Sequence, residues 1–447
     1  MRSQVSFVVL PIACALFIAA VYCPDVGRGF IKDDFTWIRA AQMATAHPVT
    51  LIRQPDAGFY RPVVTLAFAF DYAVHGWTPR GYGWTNLALY MSCAFALAAV
   101  ALALGLSRRA AALAAVLWAV NPHGVNMAIL WLSGRTATLL TLFSLLAAVA
   151  VLRRWYAAAA ALIAVALLSK EEAVVLPFIL LAWAWIRGRG ARPAWTAIAA
   201  LFGPLAVYVW LRALTPAMLP ATAPPFYRFT FDPLLVIRNA GEYLDRSATL
   251  AAAALVCGMI AYRARPRVTA ADRPVIVMLA VWWAGMFAIT IWLPVRSSLY
   301  AVCPSAAAAM VGALVIERMR ETASRPFVRL EPVLAILLVA AIPIYRMRDG
   351  LRAEAARVSQ RTLNEIENDL PALPRSGVVV LHEDPDVPVF REAFGDLAAE
   401  ALRTRFGREW DARIEDAPGR SRGSAGGNDV IAEYWIRRGT IARAPGP

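Results

Sequence analysis

The chain has 447 residues, of which 59% are hydrophobic and 17% are charged, and its mean hydropathy is +0.53. Ordinary soluble domains are roughly 45–50% apolar and about 25% charged, so this composition excludes a soluble protein and indicates a polytopic membrane protein. The net charge of +14 does not indicate a nucleic-acid partner. Much of the basic excess lies in short loops, where it sets membrane topology, and basic residues do not alternate with aromatic ones.

Eleven apolar runs predict membrane-spanning helices. They lie at 5–22, 84–106, 110–129, 136–152, 155–169, 173–186, 194–213, 247–262, 275–293, 300–316 and 332–345. Several are shorter than the ~20 residues of an upright span. With the N-terminus in the cytoplasm, every second connection is short and carries arginine, as the positive-inside rule requires. The sequence therefore predicts an all-α polytopic protein of about eleven transmembrane helices in a bacterial inner membrane.

Two long segments are predicted on the outer side of the membrane. The first outer loop, 23–83, contains an amphipathic stretch at 63–74 that is too short to span and is expected to lie along the interface. The second outer loop, 214–246, is rich in proline. Both loops can supply residues to a site at the outer membrane surface.

The sequence becomes polar after the last apolar run. A strand is predicted at 377–381, a helix at 389–406 and a second strand at 430–436. We therefore predict a transmembrane domain over 1–346 and a small α/β domain over 347–447. The small domain is expected on the extracytoplasmic, periplasmic side, where it positions an acceptor or covers the site.

Two charged motifs stand at outer ends of the predicted spans. Of the 45 basic residues only Lys32 and Lys170 are lysines, and each precedes two acids, in Lys32-Asp33-Asp34 and Lys170-Glu171-Glu172. Charges so close to a membrane are costly and often functional. A lysine retained in an arginine-rich chain favours a site that needs a compact ammonium. The alternative is that both lysines survived by chance at helix ends.

Carboxylates and cations on one membrane face suit the transfer of a sugar from a lipid phosphate. A phosphate leaves easily, since its second pKa is about 6, so no general acid is needed. Such a site needs one carboxylate to deprotonate the acceptor hydroxyl and cations to hold the phosphate. A hydrolase instead needs two carboxylates roughly 5–10 Å apart. Asp33 and Asp34 point different ways on most backbones, so one can act while the other orients it or holds a cation.

Six short motifs resemble those of a known family. They are, in chain order, Phe30-Ile31-Lys32-Asp33-Asp34, Tyr60-Arg61-Pro62, Asn86, Asn121-Pro122-His123, Gly134-Arg135 and Ser169-Lys170-Glu171. Their order is similar to that in the GT-C superfamily of membrane glycosyltransferases. It is most similar to the membrane half of the transmembrane and tetratricopeptide-repeat O-mannosyltransferases and their bacterial relatives. The resemblance covers roughly residues 1–190 and, more weakly, 296–300.

The resemblance implies a polyprenyl-phosphate-linked sugar as donor, a catalytic Asp in the first outer loop and an acceptor that docks from the outer side. Combined with the outer-face positions of the polar residues, it gives a predicted site. The site comprises Asp33 and Asp34 as catalytic carboxylates, Lys170, Arg135, Arg61 and Arg296 at the donor phosphate, and Lys32, Tyr60, His123, Asn126, Glu171 and Tyr300 at the substrates. A divalent cation at Asp34 is the one cofactor left open.

The chain departs from the family pattern in three places. Thr136-Ala137-Thr138 follow Gly134-Arg135, where an acid is typical. Asn126 stands where an acid commonly follows the Pro-x-His segment. No tetratricopeptide repeat follows the membrane part. The acceptor class (glycan, lipid or protein) and any metal requirement therefore stay open.

We predict an inner-membrane glycosyltransferase, a hexosyltransferase that moves a sugar from a polyprenyl-phosphate donor to an acceptor hydroxyl on the extracytoplasmic face. The alternative is a transporter or flippase of an anionic lipid-linked sugar. Transporters usually place charges near the bilayer midplane within repeated halves. Here the ionisable residues gather at outer helix ends and no repeat is visible. A third option is a non-catalytic assembly partner, against which the intact Asp pair argues.

Overall fold

The structure is a computed structural model, and it describes residues 2–53, 58–218, 225–323, 327–383, 389–416, 430–437 and 440–443. The α-helices are, in chain order, α1 Arg2–Val21, α2 Asp34–Ala46, α3 Thr50–Arg53, α4 Pro62–His75, α5 Pro79–Ala103, α6 Arg108–Ala119, α7 Gly124–Leu130, α8 Arg135–Leu152, α9 Tyr156–Leu167, α10 Leu176–Arg187, α11 Trp195–Ala213, α12 Pro233–Tyr262, α13 Arg273–Phe287, α14 Ser305–Thr322, α15 Leu330–Asp369, α16 Val389–Phe394 and α17 Ala398–Phe406. The strands are β1 Ser376–Glu383, β2 Glu409–Asp416, β3 Val430–Arg437 and β4 Thr440–Arg443.

Long apolar helices confirm that the chain is a membrane protein. Among the described residues, five helices are long and apolar enough to cross a bilayer: Pro79–Ala103, Leu132–Leu152, Trp195–Ala213, Pro233–Tyr262 and Leu330–Gly350. Helices α6 and α7 together form a sixth candidate, bent by 62°. The bend falls at Asn121-Pro122-His123, where the proline removes a backbone donor from the helix. Each predicted apolar run overlaps a helix, but the total of eleven spans stays a prediction.

Small residues let the membrane helices pack closely, as is usual where the lipid supplies no hydrophobic drive between helices. Helix α8 is mostly buried and packs against α5 and α9, while α14 packs against α6 and α12. A Cβ added at Gly312 of α14 would lie 3.1 Å from the Cβ of Ala251 on α12. The two helices therefore approach each other at a position where larger residues would push them apart.

The tail forms a four-stranded sheet in the order β2-β1-β3-β4. Strand β1 pairs in parallel with β2 and β3, and β4 runs antiparallel at one edge. The strands predicted at 377–381 and 430–436 are thereby confirmed. The helix predicted at 389–406 is divided into α16 and α17, because Gly395 adopts φ +54°, outside the helical region. Strand β2 was not predicted because four of its eight residues are acidic.

The first outer loop and the tail share a hydrophobic core. Phe35 of α2 stacks on Phe394 of α16, with ring centroids 5.9 Å apart, and Trp37 and Trp410 are buried in the same cluster. Helix α15 continues from its membrane part into the tail without a break across the domain boundary predicted at 346. The helix predicted at 63–74 is present as α4, while its location at the interface stays a prediction. The division into two domains likewise stays a prediction.

Candidate active site

Asp34 is a buried carboxylate that fixes the first outer loop to the helical bundle. It is the first residue of α2 and has no exposed surface. One oxygen accepts the Ile31 N–H at 2.9 Å, and the other accepts the Ser133 N–H at 2.7 Å and the Ser133 hydroxyl. Burial raises the pKa of Asp34 to about 7, although these hydrogen bonds act in the opposite direction. Its oxygens are therefore already engaged within the protein.

Asp33, one residue earlier, is exposed. The surrounding protein raises the pKa of its carboxyl, while the nearby charges of Arg61 and Lys32 lower it. The turn that presents it is unusual, because Lys32 has φ +48°, a left-handed conformation that non-glycine residues seldom adopt. The Lys32 N–H donates to the Ala393 carbonyl at 2.9 Å, so a contact with the tail holds this turn. Asp33 is the carboxylate of the pair that a substrate can reach.

Arg61 and Glu171 form a two-pronged ion pair next to Asp33. Arg61 Nε lies 2.8 Å from Glu171 Oε2, and Nη2 lies 2.5 Å from Oε1. The guanidinium also lies over the Phe59 ring, 4.1 Å from its centroid. Burial alone would raise the pKa of Glu171, but its ion pair with Arg61 lowers that pKa to about 2. Glu171 is therefore ionised throughout the neutral range.

Lys170 lies at the same end of the bundle. Its Nζ lies 2.7 Å from Glu172 Oε1 and 4.9 Å from the centroid of the Tyr300 ring, and both Lys170 and Glu172 are buried. The second oxygen of Glu172 is buried without a hydrogen-bond partner among the described residues. Such an unsatisfied acceptor requires an explanation, and a bound ligand supplies one.

A backbone contact brings the segment that contains Arg61 next to the segment that contains Lys170. The N–H of Val63, at the start of α4, donates to the Leu168 carbonyl at 3.1 Å, just before Lys170. Helix α4 begins at Pro62, because proline suits the first turn, where an N–H has no helical partner. We name Asp33, Arg61, Lys170, Glu171, Glu172, Tyr227 and Tyr300 the Asp33 cluster.

Tyr227 joins the cluster from the second outer loop and was not predicted from the sequence. Its ring meets Phe59 edge to face at 5.6 Å. Burial raises the pKa of Tyr227, Arg61 lowers it and Asp33 raises it, so the phenol lies within the field of both charges. The available signal was the aromatic pair Phe226-Tyr227 directly after the proline-rich stretch.

Arg135 lies apart from this cluster, inside the protein. It has no exposed surface, and Nη2 lies 2.5 Å from the Asp71 carboxylate while Nε donates to Asn86 at 2.8 Å. It also lies over the Phe68 ring. These contacts tie α8 to α4 and α5, and the predicted role of Arg135 at a donor phosphate stays a prediction. Asp71 was not predicted, although it is the one acid within the apolar helix α4.

The other predicted residues are spread around the Asp33 cluster. Arg296 pairs with Glu242 and accepts a 2.7 Å hydrogen bond from Arg246 at its carbonyl. Lys32 Nζ lies 3.0 Å from Glu392 of the tail. The remaining three contact residues outside the cluster: Tyr60 lies against Tyr208, Asn126 joins Tyr22 to Asp349, and His123 lies near Arg348, Asp245 and Arg246. Their substrate roles stay predictions.

The surroundings of Asp34 bear on the divalent cation that the sequence analysis left open. No group of three or more His, Cys, Asp or Glu side chains within the described residues is arranged to hold a metal ion. The oxygens of Asp34 accept hydrogen bonds from Ile31 and Ser133. A cation at Asp34 would have to displace these donors, and the divalent cation stays a prediction.

The fold is similar to that of solved membrane proteins. The crystal structure of ArnT from Cupriavidus metallidurans in the apo state superposes with a TM-score of 0.53 at 14% identity, over 92% of this chain and 86% of that chain. An Archaeoglobus fulgidus oligosaccharyltransferase tethered with an acceptor peptide gives 0.46 at 15% identity, over 91% and 64%. ArnT bound to undecaprenyl phosphate gives 0.44 at 14% identity, over 91% and 76%.

Only the first of these superpositions supports the fold assignment, and at 14% identity it supports the fold alone. No protein-family model matches the chain. A search of curated proteins found no match. The superposition on apo ArnT nevertheless extends over the membrane helices and most of the tail, as its coverage of 92% requires. The chain therefore shares its fold with apo ArnT.

Proposed function

We propose that this protein is a membrane glycosyltransferase that moves a hexose from a polyprenyl-phosphate donor to an acceptor hydroxyl at the extracytoplasmic face. The observation that carries the proposal is the Asp33 cluster, in which an exposed carboxylate lies near the buried Arg61, and the partner of Arg61, Glu171, directly follows the buried Lys170. Arg61 and Lys170 come from separate parts of the chain and meet at one end of the bundle. ArnT, whose fold this chain shares, has also been crystallised with undecaprenyl phosphate.

Asp33 is the proposed general base. An acceptor hydroxyl can reach its exposed side chain, whereas the oxygens of Asp34 are buried and hydrogen-bonded. The surrounding protein raises the pKa of Asp33 above its usual range. A base whose pKa is closer to the working pH removes a proton more effectively. Asp34 also meets this condition, so exposure to the acceptor is what selects Asp33. This assignment separates two carboxylates that the sequence alone left equivalent.

Arg61 and Lys170 are the proposed ligands of the donor phosphate. Both are buried, and buried cations interact with an anion more strongly than exposed ones. In the unliganded protein their charges are balanced by Glu171 and Glu172. The contact with Glu172 uses one of the three N–H donors of Lys170. A donor phosphate would add to these pairs or take the place of a carboxylate.

The proposed step is a substitution at the anomeric carbon of the sugar. The acceptor oxygen bonds to this carbon as its bond to the phosphate oxygen breaks. Asp33 takes the hydroxyl proton, and the bonding electrons leave with the phosphate as polyprenyl phosphate. Arg61 and Lys170 stabilise the charge that develops on the departing phosphate. No general acid is required, since the phosphate leaves as a stable anion.

The proposal is tested with purified protein, a panel of undecaprenyl-phosphate hexoses and a cell-envelope fraction from cells that lack the protein as acceptor. We expect release of undecaprenyl phosphate only when donor and acceptor are both present, and no reaction with nucleotide-sugars. An equal rate for D33N protein, or a lipid-independent reaction with a nucleotide-sugar, would contradict the proposal. Movement of the lipid across proteoliposomes without bond cleavage would favour the transporter instead.

A further inference from the structure

A cavity of about 740 Å³ lies outside the Asp33 cluster and shares none of its residues. It is formed by the segment after α1, the start of α5 and the outer part of α15. Its lining includes residues 23–28, Thr78, Pro79, Arg80, Ala353, Arg357, Gln360 and Arg361. The proposed transfer reaction assigns it no role.

The lining carries four arginines, Arg28, Arg80, Arg357 and Arg361, and a single acid, Asp25. The Asp25 carboxylate pairs with Arg346, which is not part of the lining. Arg357 pairs with Glu354 one helical turn away. By composition the lining thus carries four basic side chains and one acidic one, and the positive end of the 25-residue helix α5 lies beside them.

Arg28 gives independent evidence that the cavity suits an anion. Its Nε donates to the Asp25 carbonyl at 2.9 Å, but its Nη1 is buried without a hydrogen-bond partner among the described residues. Burial lowers the pKa of Arg28, the charges of Asp25 and Asp349 raise it, and those of Arg346 and Arg352 lower it. A buried guanidinium N–H without an acceptor is costly, and an anion in the cavity would satisfy it.

The inner end of the cavity lies close to the expected membrane surface. The apolar part of α15 ends at Gly350, and Ala353 to Arg361 follow on the same helix. At about 1.5 Å per residue, these positions begin about 5 Å and end about 16 Å beyond the apolar part. The opposite wall, residues 23–28, directly follows the end of α1 at Val21. A phosphate at this height is ordinarily part of a lipid.

We propose that this cavity binds a phosphate group, carried by a membrane-lipid headgroup, through Arg28, Arg80, Arg357 and Arg361. Guanidinium groups bind phosphate oxygens in pairs of parallel hydrogen bonds, and several such groups around one cavity select an anion over a neutral headgroup. The site is independent of the transfer reaction. D33N protein therefore keeps this binding whether or not the proposed chemistry is correct.

The test compares two probes on the purified full-length protein in a neutral detergent. Dioctanoyl phosphatidic acid carries the phosphate on a lipid, and glycerol 3-phosphate carries the same group without the acyl chains. The variant R357Q/R361Q removes two exposed arginines of the lining. The matched control R265Q/R267Q removes two exposed arginines from the loop between α12 and α13. Thermal midpoints establish that both variants are folded.

We expect R357Q/R361Q to weaken phosphatidic acid binding by about tenfold or more, because charge-assisted hydrogen bonds to phosphate are lost. The control should bind as the wild type does. Binding of the lipid alone identifies a lipid as the source of the phosphate, and equal binding of both probes identifies free phosphate. Equal affinity in wild type and R357Q/R361Q, or binding of neither probe, would overturn the phosphate site.

Discussion

The adjacent residues Asp33 and Asp34 belong to two polar clusters, one partly open to solvent and the other closed inside the protein. The Asp33 cluster is partly open, and an oxygen of Glu172 lacks a hydrogen-bond partner within the described residues. Asp34 and Arg135 lie in a closed cluster in which every charge has a partner inside the protein. Open, incompletely satisfied charges are suited to binding and chemistry, whereas closed pairs hold helices together. The comparison is the reason why we propose Asp33 rather than Asp34 as the general base.

The largest effect is expected from D33N. Losing a positioned general base typically costs about 10²–10⁴-fold in rate. We expect a loss of turnover of that size with an unchanged thermal midpoint, since Asp33 is exposed. The measurement is the turnover of folded protein in the donor assay. A D33N rate within a factor of about two of wild type, beside a D34N rate that is abolished, would reverse the assignment.

Substitutions of Arg135 break the closed cluster. Removing one partner of a buried ion pair typically costs about 3–5 kcal/mol, because the other charge stays buried alone. We therefore expect R135Q and D71N each to lower the free energy of unfolding by about that amount. Urea or thermal unfolding in detergent measures the effect. Stable R135Q protein with a selective loss of donor binding would instead place Arg135 at the phosphate.

A smaller effect is expected from K170R. Arginine keeps the charge, but its larger planar group does not fit between Glu172 and the Tyr300 ring as an ammonium does. We expect the KM for the donor to rise about tenfold, the size of one lost charge-assisted hydrogen bond. K32R, at a lysine that pairs with Glu392 of the tail, should change KM less. Equal changes in KM for K170R and K32R would show that the surroundings of Lys170 are not specific for the donor.

A fourth effect concerns the pH dependence of stability. Because burial raises the pKa of Asp34 from 3.8 to about 7, the folded protein holds a proton there that the unfolded chain has lost. The contribution of Asp34 to stability is therefore greatest below its unfolded pKa and declines as pH rises to about 7. The thermal midpoint of the wild type should fall relative to that of D34N over this window. Parallel curves would contradict the raised pKa.

Composition predicted the membrane class, and residue patterns predicted the strands at 377–381 and 430–436. The motif order predicted a membrane-enzyme fold, and the chain shares its fold with apo ArnT. The sequence could not show that Asp34 is buried and Asp33 exposed. Asp34 is held inside the protein by hydrogen bonds from Ser133, which is distant in the chain. Arg61 and Arg135 also look alike in sequence, since each stands near the start of an apolar segment. The contact of Arg135 with Asp71 of α4, which distinguishes it from Arg61, does not follow from the sequence pattern. Tyr227 could not be assigned to the site from the sequence, because the second outer loop has no helix or strand periodicity around it.

The most direct test of the account is the affinity of undecaprenyl phosphate, the product shared by any sugar that such a donor carries. Wild type, R61Q and R39Q are compared by equilibrium binding to the purified protein. Arg39 is a matched control, because it is an exposed arginine of the same outer loop and interacts with Glu400 of the tail. We expect R61Q to bind at least about tenfold more weakly and R39Q to bind as the wild type does. Undiminished binding by R61Q would contradict a phosphate site in the Asp33 cluster.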